Sequence, residues 1–139
     1  WEPTTPVNKV AQKVIKFKKS GTERTYYNLE KGSSSFNFTI KDSTKMKLIV
    51  RPEFNYKMLG SASVKIKVKN HKTGKETVYK MSCTKSSEAI YKNDKDHIPG
   101  SSKVIYINLP PSASTGDHYS ISLVSGAKRA SVRIMSKVN

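Results

Sequence analysis

The sequence predicts an all-β chain, an antiparallel β-sandwich of jelly-roll type with about ten short strands. Three observations carry that expectation. Apolar and polar residues alternate through several short runs, most strictly at Val64-Lys65-Ile66-Lys67-Val68-Lys69. Turn-forming residues interrupt these runs at intervals of roughly 8 to 12 residues, the spacing of a sandwich or barrel. The hydrophobic share of 35% is spread in spaced clusters, which suits a thin two-layer interior better than a large helical core.

Taken in order, residues 1–13 read as an extended or short helical lead-in, and residues 14–139 as one sandwich domain. Thr5-Pro6 fits a helix start, with Val7, Val10, Ala11 and Val14 at helical spacing. Val14 to Lys18 is strand-like, the turn Lys19-Ser20-Gly21-Thr22 follows, and Arg24 to Leu29 offers a partner strand. Phe36, Phe38 and Ile40 alternate with Asn37, Thr39 and Lys41, marking a core strand. Asp42-Ser43-Thr44 reads as a turn, and Met46, Leu48 and Val50 form the next strand, which Pro52 is expected to end. Glu53 to Gly60 has no strict period and reads as a loop carrying Phe54 and Tyr56.

Ser63 to Met81 reads as a hairpin closed by Asn70-His71-Lys72-Thr73-Gly74, with Gly74 available for a positive φ. A short strand at Glu88 to Lys92 precedes a long polar connection from Asn93 to Gly100. Val104 to Leu109 is strongly strand-like and stops at Pro110-Pro111. Two last strands follow, through Tyr119, Ile121 and Leu123 and through Ala130, Val132 and Ile134.

Charge is the strongest compositional signal. Twenty-six basic residues against ten acidic ones give +16, and only Arg24, Arg51, Arg129 and Arg133 are arginine, which leaves 22 lysines. Codon bias toward lysine would enrich glutamate as well, so the imbalance points to function. Lysine acts as a hydrated point charge rather than a bidentate fork, so diffuse attraction to a polyanion is favoured over base-edge reading. Cys83 is the single cysteine, which excludes an internal disulfide and reads as a small buried hydrophobe. No apolar run reaches the roughly 18 residues of a membrane span. A chain that starts at Trp1, rich in lysine and free of disulfides, is expected to be exported to the surface or surroundings of a Gram-positive bacterium.

Two stretches resemble the bacterial pre-peptidase C-terminal domain, a secreted β-sandwich appended to extracellular enzymes. One runs from Ile15 to Val50, with the pair Tyr26-Tyr27, the turn Leu29-Glu30-Lys31-Gly32-Ser33 and the alternating strand Phe36 to Ile40. The other runs from Leu109 to Leu123, with Gly116-Asp117-His118-Tyr119. The resemblance implies a β-sandwich with an accessory or binding role. At Met46 to Val50 the chain is basic where that family has an acidic, sometimes calcium-associated strand, so no calcium role carries over.

Chemistry-bearing sets are sparse, and the chain reads as a non-enzyme with no cofactor and no metal. His71, His97 and His118 lack paired ligand spacing, and Lys92 and Lys95 oppose an ion at Asn93, Asp94 and Asp96. Ser114 or Ser120 with His118 and Asp117 echoes a hydrolase set only superficially, because adjacent strand residues face opposite ways. The expected ligand surface is the cationic hairpin: Lys65, Lys67 and Lys69, about 6.6 to 6.8 Å apart along one strand face, extended by Lys72, Lys75 and Lys80, with Trp1, Phe54 and Tyr56 as stacking residues, core burial being the alternative fate of the two loop aromatics. The same lysines also suit the bland role of keeping strands from pairing with neighbours. The function so read is adhesion to an anionic polymer such as a teichoic acid, nucleic acid or acidic polysaccharide. The alternatives are a carbohydrate-binding or enzyme-accessory module that uses exposed aromatics, and an inhibitor or immunity-type protein docking an acidic partner.

Overall fold

A computed structural model describes residues 1–40, 45–57, 60–107, 109 and 113–137. The described residues form twelve strands and no helix. These are β1 (Glu2–Thr4), β2 (Gln12–Phe17), β3 (Glu23–Glu30), β4 (Ser35–Thr39), β5 (Met46–Asn55), β6 (Ser61–Asn70), β7 (Glu76–Thr84), β8 (Ala89–Tyr91), β9 (His97–Pro99), β10 (Lys103–Ile107), β11 (His118–Gly126) and β12 (Arg129–Ser136). They make an antiparallel sandwich. The four-stranded sheet has the order β4-β11-β6-β7; the eight-stranded sheet runs β10-β5-β12-β3-β2-β8, with β1 beside β12 and β9 beside β5.

The interior follows the period of two. Phe36 and Phe38 on β4, Val64, Ile66 and Val68 on β6, and Tyr119, Ile121 and Leu123 on β11 face Leu29, Met46, Leu48, Val50, Val132 and Ile134 of the larger sheet. The Phe38 and Tyr119 rings stack with centroids 5.7 Å apart, while Phe36 meets Tyr27 edge to face at 5.1 Å. Burying each such side chain contributes about 1.5 to 3 kcal/mol, which is ample to hold the strands in register.

Several elements differ from the sequence reading. The expected N-terminal helix is not formed: Glu2–Thr4 pairs with β12, and the stretch that was to be helical leads into β2, already begun at Gln12. The helical spacing of Val7 to Val14 loses to sheet pairing and to Asn8, whose side chain bonds the backbone of Ser35 and Asn37. Pro52 does not end its strand. It tolerates the ladder because β5 continues through Glu53, Phe54 and Asn55, which pair with β9, so the loop expected at Glu53 to Gly60 begins only after Asn55. The polar connection after Asn93 accordingly contains the short strand β9. The expected turn at 42–44 and stop at 110–111 lie outside the described residues.

The larger sheet also encloses a second, smaller core on its outer face. There β8 borders β2 at one edge, β9 borders β5 at the other, and β8 and β9 pack together. The sheet end therefore curls over Ile15, Tyr26, Ala89 and Tyr91, with Phe17 and Ile49 against them. Arg51 is buried in this curl. Its Nε donates to Tyr26 Oη at 3.2 Å, its Nη1 donates to the Gly100 carbonyl at 2.9 Å, and its guanidinium lies 5.2 Å from the Phe17 ring centre.

The register of β6 against β11 changes between Leu123 and Ser125, and Gly126 follows this bulge with φ of 96°. A Cβ there would stand 1.9 Å from the Ser63 carbonyl oxygen, whereas one at Gly74, φ 76°, would meet nothing within 4 Å. Gly126→Ala should therefore lower unfolding free energy by at least ~2 kcal/mol, and Gly74→Ala by only about 1 kcal/mol. Denaturant midpoints of the two variants check this; equal losses would contradict the close backbone approach at Gly126.

Candidate functional site

The outward face of the smaller sheet gathers most of the expected ligand residues. Val64, Ile66 and Val68 point inward, which turns Lys65, Lys67 and Lys69 out to solvent on a strand central to the sheet. Across β7, Lys65 stands opposite Lys80, Lys67 opposite Val78 and Lys69 opposite Glu76. Across β11 the neighbours are hydroxyls: Ser120 beside Lys69, Ser122 beside Lys67 and Ser125 beside Lys65. Beyond them, Asn37 and Ser35 of β4 pair with Ser120 and Ser122. The face thus carries ammonium groups on one half and hydroxyl and amide groups on the other.

Lys72 and Lys75 reach the same edge because Asn70 builds the turn that holds them. Its side chain is buried and donates to Tyr119 Oη at 3.1 Å, while its Oδ1 accepts from the backbone N–H of Lys72 and Thr73. The Gly74 N–H closes the turn on the Asn70 carbonyl at 2.8 Å. Only two ion pairs engage these lysines among the described residues: Lys67 with Glu76 at 3.8 Å and Lys72 with Asp117 at 3.9 Å. The remaining described carboxylates, Glu2, Glu23, Glu30, Glu53, Glu88, Asp94 and Asp96, lie on the larger sheet or on the segment around β8 and β9. A cleft of about 420 Å³ opens where Lys67 and Ser122 meet Gly32, Ser33 and Ser34 of the β3–β4 turn and Ser35 of β4.

The two aromatic candidates separate. Phe54 is fully buried, because it sits on the extended β5 and not on a loop, so its place as a stacking residue is corrected. Tyr56 lies just past that strand and is 66% exposed. A different exposed pair joins Trp1, offered by the sequence as a stacking residue, to Tyr106, which the sequence did not single out; the two are far apart in the chain and come together only across the larger sheet.

Catalytic and metal geometries are also placed. Ser120 Oγ lies 2.9 Å from Nε2 of His71, not of His118; the pair is exposed, and among the described residues no carboxylate bonds the other ring nitrogen. Asp117 instead accepts from the N–H and Oγ of Ser114, which is turn chemistry. Burial pushes the Cys83 thiol up, against the opposing pull of Lys103 and Arg51, so it stays protonated. Glu53, Asp94 and His97 bring one ligand atom each within 4.8 Å of one another, a constellation invisible from their spacing in the chain. The Lys13 ammonium, however, already binds both Glu53 and Asp94, the latter at 2.7 Å, and Nδ1 of His97 lies 2.7 Å from Asp94. A lysine in that position neutralises the carboxylates and takes the place a metal ion would need.

No family model matches the chain, and no curated protein matches it. Among solved structures it is similar to the CBM22-1 and GH10 modules of a Clostridium thermocellum endo-1,4-beta-D-xylanase complexed with xylohexaose, at 13% identity and a TM-score of 0.38, covering 91% of this chain and 25% of that one. It is also similar to a xylan-binding module, CBM15, at 10% identity and a TM-score of 0.31, covering 96% and 89%. The chain spans about a quarter of the length of the first. Neither is described as a pre-peptidase C-terminal domain, and both likenesses are too slight to carry an inference about function.

The Lys13 cluster yields a pH dependence. Burial works to raise the Asp94 carboxyl, but bonds from Lys13, His97 and the Asp96 N–H outweigh it and hold it down at about 2. A carboxyl depressed in the folded state stabilises it above the unfolded value of about 4, and that contribution is lost as pH falls toward 2. Asp94→Asn should lower stability by about 1 kcal/mol at pH 7, after allowance for solvent screening, with the gap to wild type closing by about pH 2. Thermal unfolding of both proteins across this range is the check. A chelator should leave the melting temperature unchanged, because Lys13 supplies the cation.

Proposed function

We propose that this chain is a non-catalytic binding domain whose outer sheet face takes an anionic polymer, and that an acidic polysaccharide is the ligand class its chemistry suits best. The observation that supports this most directly is the make-up of that face. Ammonium groups of Lys65, Lys67, Lys69 and Lys80 stand beside the hydroxyls of Ser120, Ser122 and Ser35 and the amide of Asn37. Hydroxyl and amide groups exchange hydrogen bonds with sugar hydroxyls, and lysines attract carboxylate or sulfate groups without demanding a fixed geometry. Among the described residues, the outward positions of these four strands hold no Phe, Tyr or Trp. Base stacking, the usual grip on single-stranded nucleic acid, has no platform there. The cleft at Lys67 and Ser122 is of a size to seat a sugar unit. The absence of an oriented nucleophile among the described residues favours binding over catalysis.

Binding of this kind releases counterions, so it weakens with salt. Retardation in a gel containing polygalacturonate should fall by about 10- to 100-fold in affinity between roughly 50 and 200 mM salt, the scaling expected for three or four charge contacts. The triple variant Lys65→Ala, Lys67→Ala, Lys69→Ala should lose most of the retardation while keeping its melting temperature, since all three side chains face solvent. Equal retardation by the fully methyl-esterified polymer, or binding that salt leaves unchanged, would overturn the proposal.

A further inference from the structure

The outer face of the larger sheet carries a second arrangement that the lysine face does not use. On β5, the inward course of Met46, Leu48 and Val50 turns Lys47 outward, and Tyr106 of β10 stands opposite it. Trp1, leading into β1, lies back across Lys47: the ammonium is 4.6 Å from the indole centre, and the indole and Tyr106 ring centres are 6.3 Å apart at 55°. Both rings remain open, Trp1 at 44% and Tyr106 at 62% exposed. Together with Lys45, Lys137, Ile107 and Leu109 they line a cleft of about 440 Å³. Two exposed rings beside three lysines are amphipathic in a specific sense: they offer an apolar platform bordered by positive charge.

We propose that this cleft is a second glycan site, one that takes a single acidic sugar unit. The inference rests on the reading of the chain as an acidic-polysaccharide binder and makes the domain bivalent, since this cleft is built on the larger sheet and the lysine face on the smaller one. The C–H face of a pyranose ring stacks on an exposed aromatic face, and its carboxylate meets the ammonium groups. A flat base held between the rings would need nearly parallel planes, which the 55° angle denies, whereas a puckered sugar ring fits an open wedge.

Trp1 is the only tryptophan, so its fluorescence reports on this cleft alone. Galacturonate oligosaccharide should change the emission of the wild type, and of the Lys65→Ala, Lys67→Ala, Lys69→Ala variant to the same extent. Tyr106→Ala should weaken the titration about tenfold, and Lys47→Gln about fivefold; both side chains are at the surface, so thermal melts should confirm an intact fold. No emission change in the wild type, an equal response to a neutral oligosaccharide of the same length, or a response to a single-stranded oligonucleotide in place of the galacturonate would each overturn the second site. If polygalacturonate retardation persists while Trp1 stays silent, the lysine face stands without it. If Trp1 responds while the triple lysine variant is retarded like wild type, the second site stands and the lysine face fails.

Discussion

The cost of burying an ammonium group sets the geometry of the smaller sheet. On β6 every second residue from Val64 to Val68 enters the interior, so a slip of one residue would drive Lys65, Lys67 and Lys69 into contact with Phe36, Phe38 and Tyr119. Such a slip is prohibitive because buried charges without partners cost several kcal/mol each. The register that avoids this also aligns the lysines with Ser120, Ser122 and Ser125 on β11 and with Lys80 on β7. The Gly126 bulge and the Asn70 turn fix the two ends of the same strand pair. Core packing and the composition of the smaller sheet's outer face are thus one constraint seen from two sides.

The larger sheet solves a different problem. Its strands carry apolar residues on both faces, and one layer of sandwich interior buries only one of them. Curling β8 toward β9 encloses the rest around Ile15, Tyr26 and Tyr91. Arg51 enters this second interior because Tyr26 Oη and the Gly100 carbonyl satisfy it and the Phe17 ring covers it. At the rim, Lys13 joins Glu53 and Asp94, so the carboxylates that might have neutralised the lysine face are committed elsewhere. The result is a smaller sheet that presents lysines beside polar side chains, with Glu76 and Asp117 the described carboxylates paired to them.

Much of this organisation was legible in the chain, and particular residues show where legibility stopped. The strict alternation at Val64 to Lys69 and Phe36 to Ile40 gave strands, faces and outward lysines, because a period of two has one meaning once a side is buried. The continuation of β5 past Pro52 was hidden, since a proline usually closes a strand and only the pairing of Glu53 to Asn55 with β9 overrides it. Phe54 was misplaced for the same reason. Lys13, Glu53 and the Asp94–His97 pair come from three distant stretches of the chain, and no spacing rule joins them. Trp1 and Tyr106 likewise meet only across intervening strands.

By itself the sequence determined the all-β class, the hairpin with its lysines turned outward, and the strong net positive charge of the chain, because all three follow from local periodicity and composition. Tertiary structure alone decided which strands border one another, and with that which lysines lie beside hydroxyls, which carboxylates are spent on Lys13, and which aromatic rings reach solvent as a pair. Those outcomes depend on contacts between residues distant along the chain, where side-chain chemistry permits many partners and only the closing of two sheets over their cores selects one.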